Sequence, residues 1–303
     1  MQHTHTSQRR GRAALTAAFA AALLFPQSLR AEDDKGLWTG IDFSKSIGKH
    51  VSIDAGVGMR TQDWLNEISR WDFSIGATYK PAKWFSVGAD YVFLHSYYPG
   101  NSKQKVKEEV DEEDGTTEFK GYNLNTDHAY WRNKHRAVVD LTGKVTWGRV
   151  TFSLRERYQF THYCAADYTR TQYKYRKALP DGTPAEAYTG TLYPYEGRNF
   201  RKLTVEEEAR HKTTKNRHYL RTRLMVEWNI RHCAWTPYAS CELINNATHY
   251  EDLHLDKTRV CAGAEWKISK RHRLDFAYVY EHGHDDDTDC NTHALSIGYK
   301  LKF

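Results

Sequence analysis

Alternation of apolar and polar residues is the feature that most constrains the fold of this chain. Over residues 51–60 one parity is apolar and the other is polar or small. The apolar parity consists of Val51, Ile53, Ala55, Val57 and Met59. A period of two residues is typical of a β-strand with one apolar and one polar face. The closing segment, residues 292–303, alternates in the same way, so the pattern predicts an all-β fold from one end of the chain to the other.

The same alternation marks a series of segments that are separated by turns. We identify eleven of them: 37–47, 51–61, 68–80, 84–95, 129–145, 150–163, 217–230, 235–245, 257–268, 272–281 and 292–303. Single-chain bacterial barrels have an even number of strands. We therefore predict one antiparallel barrel of about twelve strands, with a range of ten to twelve. Either one strand is hidden in the pattern, or residues 32–37 pass through the lumen.

The connections between these segments alternate between tight turns and long segments. The longest cover about 96–127 and 164–216. Short turns at one rim and long loops at the other are typical of a transmembrane outer-membrane barrel, with the short turns on the periplasmic side. Five tryptophans lie in or beside the short turns, where an interfacial girdle would sit: Trp84, Trp147, Trp228, Trp235 and Trp266. A second girdle is expected near the long loops, with Tyr91 and Tyr158 among its members.

The first 31 residues have the layout of a cleaved export signal. Arg9, Arg10 and Arg12 precede an uncharged apolar run over residues 13–25, and cleavage is expected after Ala31. The run is shorter than the roughly 20 residues that a helix needs to span a bilayer. Residues 1–31 are therefore predicted to be a signal peptide and 32–303 a barrel domain in the outer membrane of a Gram-negative cell.

The C-terminus carries a further signal for this location. Phe303 ends an alternating strand at the last position of the chain. Proteins handled by the outer-membrane assembly machinery resemble this, with a terminal aromatic residue. Expected partners are therefore that machinery, outer-membrane lipid and lipopolysaccharide. The net charge of +6 is partly contributed by the signal peptide, so we predict no nucleic-acid partner, and no motif indicates a cofactor.

If the apolar faces meet lipid, charged side chains of the other parity line the lumen. A basic wall is expected from three consecutive segments: Arg132, Arg136, Arg155, Arg157, Arg221 and Arg223. An acidic wall is expected from the first four: Asp42, Asp54, Asp72 and Asp90. Separated walls of opposite sign would set a transverse field across a channel. Alternatively, the charges pair with one another and fill a narrow barrel. The sequence leaves both interpretations open.

Histidine and cysteine offer weaker signals. His282, His284 and Asp286 lie in one outer loop and are possible ligands of a divalent cation, although such clusters are usually solvated charge, and no metal site is assigned. Cys241 and Cys261 flank a hairpin symmetrically, but the alternation places them on opposite faces, so we expect no bridge between them. Cys164 and Cys290, both in predicted outer loops, are the better candidates for a pair.

Several stretches resemble an uncharacterised outer-membrane family defined as domain of unknown function 2490. They are LWTGIDFSKSIGKHVSIDAGVGMR near the mature start, DFSIGATYKPAKWFSVGADYVFLH in the first third, YLRTRLMVEWNI with WTPYASCELI, and RLDFAYVYEHGHDDD with HALSIGYKLKF at the end. The resemblance covers most of the mature chain and implies an outer-membrane barrel. It implies no catalytic residues.

Three functions are compatible with this pattern. The first is a small channel or structural barrel for polar solutes. The second is an outer-membrane lipid hydrolase, which needs a Ser–His pair; His293 and Ser296 are close in sequence, but their spacing places them on opposite faces, so no catalytic residue is assigned and an enzyme is not expected. The third is a surface adhesin that acts through its long loops, above all residues 164–213.

Overall fold

The computed structural model describes residues 34–110, 117–177, 189–195, 198–248, 253–284 and 291–303. Eleven strands form a closed barrel: β1 (Asp34–Ile47), β2 (Val51–Gln62), β3 (Glu67–Ala82), β4 (Phe85–Tyr98), β7 (Tyr130–Trp147), β8 (Val150–Tyr163), β12 (Lys215–Trp228), β13 (Trp235–Asn246), β14 (His254–Lys267), β15 (His272–Gly283) and β16 (Asn291–Lys302). Each corresponds to one of the eleven alternating segments, so the all-β barrel predicted from the sequence is confirmed.

The barrel closes through a parallel pair. β1 runs parallel to β16, from Asp34 beside Thr292 to Ser44 beside Lys302. In a meander of antiparallel neighbours, an odd number of strands leaves the first and the last pointing the same way, so eleven strands close only by a parallel ladder. The strand number lies within the predicted range, and no twelfth barrel strand is needed in the described part of the chain. Residues 34–37 lie in the wall rather than in the lumen.

The other described strands form a separate five-stranded sheet. They are β5 (Asn101–Val110), β6 (Thr117–Asp127), β9 (Ala166–Lys177), β10 (Tyr193–Tyr195) and β11 (Arg198–Lys212), in the order β10-β11-β9-β6-β5. The chain thus divides into two compact units. The barrel unit consists of the described residues up to Leu94 together with His135–His162 and Asn216–Phe303. The second unit consists of His95–Lys134 and Tyr163–Lys215. The segments expected to be long loops therefore contain ordered strands.

The second unit has a small aromatic core. Tyr122, Tyr175 and Phe200 are buried together, and Phe200 is fully inaccessible. The rings of Tyr122 and Tyr175 stack with centroids 4.6 Å apart, and Phe200 meets Tyr122 edge-on at 5.3 Å. Burial of such rings is the main stabilising contribution available to a sheet of this size.

Alternation sets the faces of the barrel wall. On β2, Ile53 and Val57 are exposed on the outside, whereas Gly56 and Gly58 are buried inside. Phe152 and Ile297, on strands far apart in the sequence, are also exposed. The apolar parity therefore points away from the barrel interior, the reverse of a water-soluble barrel with an apolar core.

Tight turns connect the strands at one end of the barrel. Gly48 between β1 and β2 has φ of 67° and Gly148 between β7 and β8 has φ of 61°. Only glycine adopts this left-handed backbone without cost, so these two positions set the short connections. Among the described residues, the structure contains no helix that is long and apolar enough to span a membrane.

Candidate functional site: the charged barrel interior

Two of the predicted basic residues, Arg155 on β8 and Arg221 on β12, converge on one carboxylate. The Nη2 atoms of Arg155 and Arg221 each lie 2.6 Å from an oxygen of Glu242 on β13. Arg259 on β14 donates from Nη1 to the same carboxylate at 3.3 Å. The Glu242 side chain is only 4% exposed, so Glu242 is a buried hub that joins four strands.

A second carboxylate extends this network to the next strand. Glu281 on β15 accepts from Arg259 at 2.5 Å and from Lys257 at 3.0 Å. The guanidinium of Arg259 also lies 5.3 Å from the centre of the Trp38 ring, and that of Arg60 lies 3.6 Å from it. Cation–π contacts with Trp38 on β1 thus extend the network across the parallel β1–β16 pair that closes the barrel.

On the other side, the network reaches β7. Asp140 accepts two hydrogen bonds from Arg157, at 2.5 and 2.7 Å, and Arg155 approaches the same carboxylate at 3.9 Å. Bidentate pairs of this kind are the strongest form of the interaction. We call the set formed by Asp140, Arg155, Arg157, Arg221, Glu242, Arg259, Lys257 and Glu281 the interior ion-pair network.

The remaining predicted basic residues have other surroundings. Arg223 lies opposite Glu242 in the β12–β13 ladder. Arg136 donates to the hydroxyl of Thr161 at 3.3 Å. Arg132 belongs to the second unit, where it donates to the carbonyls of Cys164 and Thr213 at 2.7 and 2.6 Å. The structure therefore brings four of the six predicted arginines to the ion-pair network or beside its hub.

The predicted acidic residues lie on β1 to β4, and three of them sit beside glycines of a neighbouring strand. A Cβ atom built on Gly56, Gly58 or Gly76 would collide with the carboxylate of Asp42, Asp72 or Asp90, respectively. Each glycine thus leaves the space that a carboxylate occupies. Asp72 also accepts from Arg70 at 3.0 Å, and Asp54 from Ser52 at 3.3 Å.

Solvent access differs along the barrel interior. Gln159, Thr161 and Glu242, in the strand halves that adjoin the long segments, are at most 4% exposed. Asp42, Asp54 and Asp90, in the halves that adjoin the short turns, are accessible to solvent. The interior is therefore packed with paired side chains toward one end. It is more accessible to solvent toward the other, where Lys300 and Arg273 lie beside Glu265.

Sequence reasoning missed the carboxylates that pair with the predicted arginines. Glu242, Glu281 and Asp140 all have the inward parity of their segments, and that parity was the available signal. In addition, Asp275 lies on β15 and accepts from the Tyr238 hydroxyl at 2.9 Å. It was not predicted, because the acidic wall was expected from the first four segments alone.

The weaker candidates are placed as follows. His282 and His284 lie with ring centroids 4.7 Å apart, and each is hydrogen-bonded, to Asn291 and Thr258 respectively. Asp286 lies outside the described residues, and within those residues no three His, Cys, Asp or Glu side chains form a metal-binding group.

The cysteines and the candidate Ser–His pair follow the alternation. Cys241 pairs with Val260 and Cys261 with Ser240, so the two thiols lie on opposite faces of the sheet, and both are free. Cys164 is free as well, so the structure does not support its predicted pairing with Cys290, which lies outside the described residues. Ser296 shares the inward parity of Ala294, whereas His293 packs outside against Tyr280. The structure does not bring this serine and histidine together.

The protein is a closed β-barrel with an apolar exterior and a charged interior. Its sequence matches a family model over residues 35–292, which includes every residue of β2 to β15. The chain belongs to this family, described as a protein of unknown function, DUF2490. Comparison with curated proteins finds no match.

Proposed function

We propose that this protein spans the outer membrane as a barrel whose lumen is closed by the interior ion-pair network. In this proposal residues 1–31, which lie outside the described residues, are the export signal. Phe303 is recognised by the outer-membrane assembly machinery. The pairing of the charges in the interior supports a structural barrel, or a channel in its closed state, over a permanently open pore.

The proposed membrane location is supported above all by the outward-facing row of residues on β12. This row runs from Asn216 and His218 through Leu220, Thr222, Leu224 and Val226 to Trp228. Leu224 and Trp228 are 51% and 45% exposed. From His218 to Trp228 the strand covers roughly 33 Å at about 3.3 Å per residue. At the usual tilt of about 40° this gives an apolar band roughly 25 Å tall, the height expected of an outer-membrane barrel.

The charged residue on the outward face of β8 has a hydrogen-bond partner on the neighbouring strand. Glu156 is the charged residue that interrupts the apolar parity of β8, and it accepts a hydrogen bond from Thr222 at 2.9 Å. Polar groups that face lipid need an internal partner.

Spin labelling along β12 in lipid vesicles tests this proposal. Nitroxides at Leu220, Leu224 and Val226 are expected to collide readily with oxygen and poorly with a water-soluble nickel complex. A nitroxide at Arg223, of the inward parity, serves as the matched control and is expected to show low oxygen accessibility. Equal oxygen accessibility at both parities, or no insertion into vesicles, would refute the proposed location.

A second candidate function, surface binding, is favoured by the second unit. Its strands carry aromatic and cationic side chains together, as in Lys202 over the Tyr173 ring at 4.6 Å and Lys212 over the Tyr168 ring at 5.3 Å. Such surfaces are common in recognition. Deleting residues 166–212 while vesicle insertion is measured separates the two functions: binding of cells or matrix is lost with the segment, whereas insertion is retained.

A further inference from the structure

Three strand pairs of the barrel carry the same short motif. The first strand reads Tyr-x-Phe/Tyr-x-His at residues 91–95, 158–162 and 278–282, and its partner reads Asn-x-His at residues 133–135, 216–218 and 291–293. The pairs are β4 with β7, β8 with β12, and β15 with β16. The segments lie far apart in the chain, so the repetition is not a local effect of sequence.

The tyrosine and the second histidine meet in the same geometry each time. The Tyr hydroxyl lies 2.6, 2.7 and 2.5 Å from Nδ1 of the imidazole in the pairs Tyr91–His135, Tyr158–His218 and Tyr278–His293. The ring centroids are 6.1 Å apart in all three.

An aromatic ring packs against the same imidazole in each copy. Phe93, Phe160 and Tyr280 lie 5.5, 5.1 and 5.1 Å from their histidine rings, centroid to centroid. We call these three Tyr–aromatic–His groups the interface clusters. In the tautomer in which the phenol donates to Nδ1, the imidazole carries its proton on Nε2, and the cluster then orients a ring with an N–H donor.

Each copy of the motif also contains a hydrogen-bonded His–Asn pair. In the barrel unit the His–Asn pairs His162–Asn216 and His282–Asn291 are 2.7 and 2.8 Å apart. In the second unit the same pair, His95 and Asn133, is 2.7 Å apart.

The interface clusters lie on the outward parity, next to the aliphatic residues of the apolar band. On β16, His293 is followed on the same face by Leu295 and Ile297, which are 47% and 40% exposed. On β7, His135 is followed by Val139 and Leu141, both 47% exposed. In the proposed membrane orientation, this border between polar and aliphatic side chains is the headgroup level of the outer leaflet.

We propose that the interface clusters are three equivalent contact sites for the phosphorylated sugar headgroups of outer-leaflet glycolipid. This inference rests on the proposed function, because it requires the barrel wall to face lipid. Imidazole and amide N–H groups donate to phosphate oxygens, the aromatic rings cover the apolar faces of sugars, and no residue of the clusters is acidic. The rings of His135, His218 and His293 are partly exposed on the outer face of the wall.

The competing explanation is that the clusters only hold strand ends together. A fourth Tyr–His pair, His272 with Tyr299 at 2.5 Å and a ring separation of 6.0 Å, provides the control, since it lies on the same outer face but beside the short turns. A structural role predicts similar effects from altering either end, whereas headgroup recognition predicts an effect at the long-segment end alone.

The test compares the H135F/H218F/H293F variant with wild type and with H272F, each refolded in detergent. Phenylalanine keeps the aromatic volume and removes the N–H donor. The probes are a diphosphorylated glucosamine-disaccharide lipid and the same lipid after enzymatic removal of its phosphates, with binding measured by native mass spectrometry.

Wild type and H272F are expected to bind the phosphorylated lipid, with at least tenfold weaker binding of the dephosphorylated lipid. The triple variant is expected to bind the phosphorylated lipid about tenfold more weakly than wild type, as expected for the loss of a charge-assisted hydrogen bond. Equal binding by the triple variant, or equal binding of the two lipids by wild type, would overturn the inference. Vesicle insertion of wild type is measured in parallel; its failure would refute the proposed membrane location, whereas insertion without lipid preference refutes the clusters' role alone.

Discussion

Nη2 of Arg221 and Oε2 of Glu242 lie 2.6 Å apart inside the barrel, with side chains only 10% and 4% exposed. Because Glu242 also compensates Arg155 and Arg259, the E242Q substitution leaves three guanidinium groups without their shared counter-charge. We expect it to lower the free energy of unfolding by about 3–5 kcal/mol, the usual cost of breaking a buried ion pair. Urea titration of the protein in vesicles measures the change.

E206Q is the matched control for this substitution. Glu206 lies in the second unit, pairs with Lys174 at 2.6 Å, and its side chain is 53% exposed. Exposed pairs contribute about 1 kcal/mol or less. If E242Q destabilised the protein no more than E206Q, the buried hub would not be a stabilising element.

Conductance across planar bilayers should depend on the interior ion-pair network. Wild type is expected to show little or no steady conductance, because paired side chains fill the packed part of the lumen. The charge-neutral variant R221A/E242A removes two of the largest side chains from that part and is expected to produce discrete single-channel steps. K174A/E206A, which removes an exposed pair from the second unit, is expected to behave as wild type. Steady channels in wild type would contradict the closed interior.

The glycines beside the interior carboxylates should not tolerate a methyl group. At Gly76 an added Cβ would contact the carboxylate of Asp90 and, at 2.8 Å, the backbone oxygen of Ala89. We expect G76A to destabilise the barrel by about 1–3 kcal/mol, as overpacking does elsewhere. G143A is the control, since a Cβ on Gly143 meets nothing within 4 Å. Equal stability of the two variants by urea titration would show that the wall relaxes around Asp90.

In the second unit, Arg170 holds the pKa of Asp127 below its usual range through a bidentate hydrogen bond. The pair therefore stabilises the unit above the ordinary aspartate pKa, and the stabilisation is lost as pH falls through the lowered value. R170Q is expected to move the Asp127 pKa upward, measured by carbon-13 NMR of its carboxyl carbon. R176Q, at an arginine that bonds to Asn123 and the Tyr122 carbonyl, should leave that titration unchanged. No movement in R170Q would show that another group lowers the pKa.

The strand segments and their faces could be read from the sequence because alternation is a local property. Each residue's parity within its own segment decides whether it points in or out. That reasoning placed Phe152 and Ile297 outside, Arg155 and Arg221 inside, and Cys241 and Cys261 on opposite faces. The three copies of the Tyr–His motif are also visible in the sequence, but their equivalence became evident only from their shared geometry.

The partners of those residues could not be read in the same way. Which charge meets Arg155 depends on the order and register of β8, β12 and β13, and these are set by contacts between residues distant in the chain. The strands of the second unit were missed because their polar sequences alternate weakly. Pairing with neighbouring strands, rather than a local sequence pattern, stabilises them.

By itself, the sequence determined the type of structure: eleven amphipathic strands, their inward and outward faces, and the tight turns at glycine. Only the tertiary structure decided that β1 closes parallel to β16 and that Glu242 gathers arginines from three other strands. The physical reason is that side-chain direction in a strand follows from the residue's own position, whereas closure, register and ion pairing are properties of the whole assembled sheet.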